Sequence, residues 1–168
     1  MKNDNFIDSL DCAFNGLVNT YAEERNFRFH VFAASNIIYF AFGYQLDRVG
    51  FAILFLTIAF VLAAELFNTA VERAVDTATD EYSKVAELAK DAAAAGTLVA
   101  ALASVAVGIC LFGDWQRILQ TLQYLVATPF NIILLVLFEF FNVLLIIMRV
   151  NRWLMVGVYP IVIVKISE

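Results

Sequence analysis

Histidine occurs once in 168 residues and cysteine only twice, at Cys12 and Cys110. Neither cysteine has a neighbour at a metal-binding or redox spacing, and His30 lacks a clustered nitrogen or sulfur partner. Zinc and thiol redox chemistry therefore have no foothold here. Charge is scarce as well: 16% of residues are charged and 62% hydrophobic, with a mean hydropathy of +0.78. The net charge of -5 and the lack of a basic stripe exclude a nucleic-acid partner. No glycine-rich loop of the usual kinase or P-loop form is present, so any nucleotide must be held in another way. Residues 1–30 contain no apolar signal core between a basic start and a small-residue cleavage site, and insertion is expected to rely on the first spanning segment. No repeat or low-complexity linker marks off a second soluble domain.

What the chain does have is apolar residues in runs, which points to an integral membrane protein. Residues 1–30 read as a surface region. Phe6, Leu10, Phe14, Leu17, Val18 and Tyr21 recur at helical spacing opposite Asp4, Asp8, Asp11 and Asn15. That pattern suits a helix lying along a membrane, or equally a solvated helix packed on other protein. A first crossing is expected over about 30–46 and a second from Val49 to about Val75, joined by Asp47, Arg48 and Gly50. A third is expected from near Asp91 to about Phe112, after a charged stretch from Thr77 to Ala89 that starts as a loop and becomes helical. Its many small residues permit close helix approach. Beyond Gly113, Asp114 to Thr128 reads as amphipathic, Pro129 permits a helix start, and 130–148 forms a fourth candidate span. Trp153 to Val164, with Pro160, is too short for a crossing and reads as interfacial or re-entrant. The expected division is therefore a surface region at 1–30, a transmembrane core at 31–113 and a membrane-associated extension at 114–168.

Charge sets an orientation. With the N-terminus in the cytoplasm and four crossings, Lys2, Arg25, Arg28, Arg73, Lys84, Lys90, Arg149, Arg152 and Lys165 lie inside, and only Arg48 and Arg117 lie outside. The positive-inside tendency favours that topology.

Against this apolar background Glu65, Asn68, Glu72 and Asp76 stand out, spaced so that all four share one helix face. Carboxylates at membrane depth are tolerated where they coordinate an ion, meet a partner or line a polar cavity. Glu65 is the deepest, and partial removal from water raises a carboxylate's proton affinity, which suits a general base acting on an alcohol. Glu72, nearer the aqueous edge, suits Mg²⁺. Asn68 between them can bond phosphate, metal or Glu65, and Asp76 can orient a neighbour. Glu24, at the expected water–lipid boundary, is a second source of metal oxygens. Lys90 would offset phosphate charge, with Asp91 holding Lys90 or a ligating water. Metal, cation and positioned nucleophile are what phosphoryl transfer requires.

Each residue has a plainer reading that the sequence leaves open. Glu65 also fits a packing, oligomer-contact or transport-pathway carboxylate, and Asn68 a helix–helix bond. Glu72 and Asp76 fit helix-end charges, Arg73 a snorkelling neighbour, Lys90–Asp91 a boundary pair, and His30 an interfacial histidine. Glu139 and Asn142 form a polar seam in the fourth candidate span.

The run Ala64–Glu65–Leu66–Phe67–Asn68–Thr69–Ala70–Val71–Glu72, continued by Asp76, is followed by Glu81–Tyr82 and Ala89–Lys90–Asp91. Upstream stand Ala13–Phe14–Asn15–Gly16–Leu17 and Glu24–Arg25–Asn26–Phe27–Arg28–Phe29–His30. In this order and spacing the segments resemble the prokaryotic diacylglycerol kinase family, which includes the undecaprenol kinases of Gram-positive bacteria, over roughly residues 6–112. The resemblance implies an all-α integral membrane lipid kinase in the bacterial cell membrane. It would have a surface helix, three transmembrane helices and a homotrimer with composite sites between protomers. It also implies transfer of the terminal phosphate of MgATP to the hydroxyl of a membrane lipid, diacylglycerol or undecaprenol, with the site facing the cytoplasm. Carried onto this chain, Glu65 is the general base and Glu24 and Glu72 bind the divalent ions. Asn68, Lys90 and Asp91 arrange phosphates and metal, Asp76 supports them, and Arg28 lies near the nucleotide. The Asn–Phe–Arg–Phe–His run looks more like the undecaprenol kinase branch. Ser83–Lys84 stands where that branch often has His–Pro, Ala95 occupies a usual glycine position, and Asp11 replaces a commonly basic residue. Two other functions compete: a small ion or solute transporter using Glu65, Glu72 and Glu139, and a noncatalytic assembly protein on the same scaffold.

Overall fold

An apolar ridge along the first helix, α1 (Phe6–Glu23), leaves Phe6, Leu10, Phe14 and Leu17 exposed while Thr20 is buried. The computed structural model describes residues 6–78 and 83–147, and among these there is no strand. The chain turns at Glu24, whose backbone is extended (φ -91°, ψ 116°), and re-enters helix as α2 (Arg25–Gly43). Arg28 fastens this corner: Nη1 donates to the carbonyls of Tyr21 at 3.1 Å and Ala22 at 2.9 Å. A cation there satisfies carbonyls left open by the helix end and opposes the negative end of the α1 dipole.

α2 ends at a tight turn in which Gln45 adopts a left-handed conformation (φ 54°). Asp47 then caps α3 (Arg48–Ala78), its Oδ1 accepting from the Gly50 N–H at 2.7 Å. α4 (Lys84–Phe112) returns alongside α3 in the most extensive helix pairing of the chain. α5 (Trp115–Leu125) starts at an Asp114 cap that accepts from the Arg117 N–H at 3.1 Å. Its Arg117 donates to the Gln45 carbonyl at 2.8 Å and lies over the Tyr44 ring, 4.4 Å from the centroid. Gly43 permits this approach, because a Cβ there would lie 3.3 Å from the Leu125 and Thr121 side chains.

α6 (Pro129–Ile147) runs back antiparallel to α2. The contacts descend α2 as they ascend α6: Tyr39 stacks on Phe138 at 4.4 Å, and Ser35 Oγ donates to Asn142 Oδ1 at 2.8 Å. Finally the Tyr21 hydroxyl donates to the Leu145 carbonyl at 3.0 Å. Burial pushes the Tyr21 phenol up from its ordinary pKa, with Arg28 pulling the other way, so the hydroxyl stays a donor.

α3, α4 and α6 are long and apolar enough to cross a membrane. The expected first crossing corresponds to α2, which begins earlier, at Arg25 rather than His30. Arg25, Arg28, His30, Ser35 and Asn36 hold it below the hydropathy of the other three. α3 continues past its expected limit of Val75 to Ala78, and α4 starts at Lys84, within the charged stretch expected to pass from loop to helix. The segment Trp153 to Val164 and Glu81–Tyr82 lie outside the described residues.

Buried groups sort by height. At the α2–α3 turn the core is apolar and aromatic, formed by Ala41, Tyr44, Leu54 and Phe112. At the other end the buried residues include Thr20, Glu65 and Thr69. The ring cluster thus lies at one end of the α2–α3–α4 bundle and the buried carboxylate at the other, where the ring of Phe27 is buried as well.

Replacing Asp47 with Ala should destabilise the chain by about 1 kcal/mol, while Asp47→Asn should retain most of the cap. Denaturation in detergent micelles, followed by circular dichroism, measures the difference.

Candidate active site

At 31 residues α3 is about 46 Å long, against a hydrocarbon core of about 30 Å. One end must therefore project into water, and the polar ladder lies at the C-terminal end. Glu65 is only 5% exposed, and Thr69, one turn on, is equally buried. Across from them on α2 the His30 ring brings Nε2 to 3.0 Å from Glu65 Oε1. Next along the ladder, Asn68 Nδ2 donates to Glu72 Oε1 at 2.7 Å. Further out, Lys90 of α4 donates to Asp76 Oδ1. The helical spacing converts four separated letters into a line of contacts reaching α2 and α4.

Glu24 stands at the α1–α2 corner. Arg73 of α3 reaches it, with Nη2 3.1 Å from Glu24 Oε1 and 3.0 Å from Glu23 Oε2. The corner is thereby tied to the ladder helix. Arg28 instead serves the α1 carbonyls. Lys90 takes Asp76 as its partner rather than the neighbouring Asp91, which is exposed on α4. Glu139 is half-buried on α6 beside Asn142, whose bond goes to Ser35.

Two cavities flank the ladder. A groove of about 650 Å³ between α1 and α3 is lined by Phe14, Leu17 and Thr20 on one side and Leu66, Thr69 and Arg73 on the other. A smaller one, about 370 Å³, lies among α2, α3 and α4, with His30, Ile37, Val61, Leu62 and Val107 in its apolar wall.

Whether these residues fit a divalent cation turns on one atom. Asn68 Oδ1 is buried and has no hydrogen-bond donor. It is a hard oxygen ligand one turn from the Glu72 carboxylate, which suits Mg²⁺, an ion that commonly takes one or two protein carboxylates and completes its shell with phosphate and water. Among the described residues no group of three His, Cys, Asp or Glu side chains is gathered as a metal site. Glu24 and Glu72 are each engaged with another partner, Arg73 and Asn68 respectively.

His30 and Glu23 are the polar contacts that local spacing does not reveal. The partner of each is on another helix, Glu65 and Arg73, and only the packing of α2 and α1 against α3 joins them. The one available signal was the single histidine standing one helix away from the single deepest carboxylate.

A sequence model of the prokaryotic diacylglycerol kinase family matches residues 11–112, ending at the last residue of α4. The chain belongs to that family. It is 41% identical over 108 residues to a protein of Synechocystis sp. (strain ATCC 27184 / PCC 6803 / Kazusa) named diacylglycerol kinase, covering 64% of this chain and 62% of the relative. It is also 38% identical over 107 residues to a protein of Bacillus subtilis (strain 168) named undecaprenol kinase, covering 64% of this chain and 87% of the relative. The chain thus spans less than two thirds of the length of the Synechocystis relative. No solved structure matches it. The expected family and the all-α membrane architecture hold, while α5 and α6 lie beyond the family match.

Arg73→Ala should lower stability by less than about 1 kcal/mol, because Arg73, Glu23 and Glu24 are 45%, 62% and 34% exposed and water screens their attraction. The same denaturation measurement checks it.

Proposed function

We propose that the chain is an ATP-dependent lipid kinase that phosphorylates the hydroxyl of a membrane lipid at the polar end of α3. The observation that carries this reading is the ladder itself: Glu65 buried, Asn68 bonded to Glu72, and Asp76 on the same face of a helix longer than the membrane is thick, with Lys90 of α4 bonded to Asp76. Such a face offers a base at the lipid boundary and anionic and cationic groups at the aqueous one. Family membership supports phosphoryl transfer, and the names of the two relatives make diacylglycerol and undecaprenol the substrates to test.

In the proposed reaction the lipid hydroxyl attacks the γ-phosphorus of ATP. Its O–H proton passes to a Glu65 oxygen as the new O–P bond forms. The bond from the γ-phosphorus to the bridging oxygen breaks, and ADP departs. Glu24 and Glu72 would hold Mg²⁺, which would neutralise phosphate charge. Asn68 orients Glu72 through its amide and presents its free Oδ1 to the metal or its water. Lys90 and Asp91 arrange the phosphates, with Asp76 fixing Lys90, and Arg28 holds the corner that carries Glu24. The apolar cavity beside His30 suits part of a lipid tail, and the groove against α1 opens by Arg73 on the aqueous side.

The assembly we propose is a homotrimer with sites shared between protomers. That arrangement accords with metal ligands that are not gathered among the described residues of one chain. We further propose that α2 crosses together with α3, α4 and α6, placing the site on the cytoplasmic face of the bacterial cell membrane, where MgATP is found. Residues 114–168 then form an additional membrane-associated unit beyond the kinase core.

A labelled-ATP assay offering undecaprenol and diacylglycerol side by side in bilayers tests the reaction and its substrate together. Glu65→Gln should lower turnover at least about a hundredfold, since acid–base catalysis supplies ~10²–10⁴, with the fold intact by circular dichroism. Wild-type turnover in that variant would remove Glu65 from the role of base. Glu72→Gln should raise the Mg²⁺ concentration required for half-maximal rate; an unchanged Mg²⁺ response would remove Glu72 from the metal site.

A further inference from the structure

The Glu65–His30 pair is the deepest ionisable contact among the described residues, and neither family matching nor local spacing assigns the histidine a part. The two side chains are 6% and 22% exposed, so little water is present to screen or replace their interaction. A carboxylate this far from water needs a donor or a cation as its partner. The other cations around the site are committed elsewhere. Arg28 bonds the Tyr21 and Ala22 carbonyls on α1, Arg73 bonds Glu23 and Glu24, and Lys90 of α4 bonds Asp76. On α3 itself the nearest carboxylate along the ladder, Glu72, is held by Asn68. Nε2 of His30 is thus the group that meets Glu65.

We propose that His30 is a positioning residue for the lipid kinase reaction. Its Nε2–H donates to Glu65 Oε1, fixes the orientation of the carboxylate, and leaves Oε2 for the proton of the lipid hydroxyl. The proposal rests on Glu65 being the base. A second observation gives the pair its place: His30 lies in the wall of the apolar cavity among α2, α3 and α4. It stands there with Ile37, Val61 and Val107, so a hydroxyl arriving on an apolar tail meets His30 at that wall, with Glu65 bonded behind it. Fixing one carboxylate oxygen leaves the base a single rotamer and a single free oxygen. That arrangement acts on the chemical step rather than on nucleotide affinity.

The test uses the full chain in bilayers with MgATP and each lipid. His30→Ala should lower kcat about tenfold to hundredfold, part of the ~10²–10⁴ that acid–base catalysis supplies, and leave the KM for MgATP unchanged. His30→Gln, whose amide N–H can reach the same oxygen, should recover most of the loss. Infrared difference spectra at neutral pH supply a readout that needs no turnover. His30→Ala should shift a carboxylate stretch, and that shift should be absent from the His30→Ala/Glu65→Gln double variant. Wild-type kcat in His30→Ala, a His30→Gln variant as impaired as His30→Ala, or an unshifted carboxylate stretch would each overturn the positioning role. Activity surviving in Glu65→Gln would instead defeat the base assignment, with the infrared spectra still deciding whether His30 holds Glu65.

Discussion

An ionisable group at the edge of hydrocarbon must have a partner, and this constraint organises the α2–α3–α4 bundle. Glu65 is answered by His30, Glu72 by Asn68, Asp76 by Lys90 and Glu24 by Arg73. Each pair crosses between helices or climbs one turn of α3. The same contacts that make a charged helix tolerable in the membrane also bring three helices to one place. Packing and chemistry are therefore hard to separate here: a side chain that neutralises a neighbour also sets where it points.

Much of this was legible before any coordinates. The helical spacing of Glu65, Asn68, Glu72 and Asp76 needs only the period of a helix, and α3 realises it. The helix start at Pro129 was equally local, as were the amphipathic character of α1 and the limit of the third span at Phe112. What could not be read was pairing between helices. His30 looked isolated because a sequence search for partners looks a few residues away, whereas Glu65 approaches from another helix. Lys90 next to Asp91 suggested a local pair, yet adjacent residues on a helix diverge by about 100°, and Asp76 lay in better reach. The break at Glu24 was missed for a related reason: no glycine or proline announces it, and Arg28 stabilises it through carbonyls rather than through its own neighbours.

The helices beyond the family match give the matched core an outer layer. α5 and α6 cover one side of α2 from Tyr44 down to Ser35, by a ring-stacked arginine, a stacked aromatic pair and a hydroxyl–amide bond. His30 faces α3 instead. α2 thus carries the polar partner of Glu65 on one side and the added layer on another. An extension could be acquired on that outer side without displacing the ladder.

The Tyr21–Leu145 bond joins positions 124 residues apart and lies beside the corner that holds Glu24. A chain made from its N-terminus exposes Tyr21 long before its acceptor has been synthesised. That bond therefore closes among the last during biogenesis, after the sixth helix has been laid against the second. Maturation of the aqueous corner is in this way timed by the arrival of the far end of the polypeptide, so a nascent chain halted after α4 would carry all the acids of the ladder with one fastening of their scaffold still unmade.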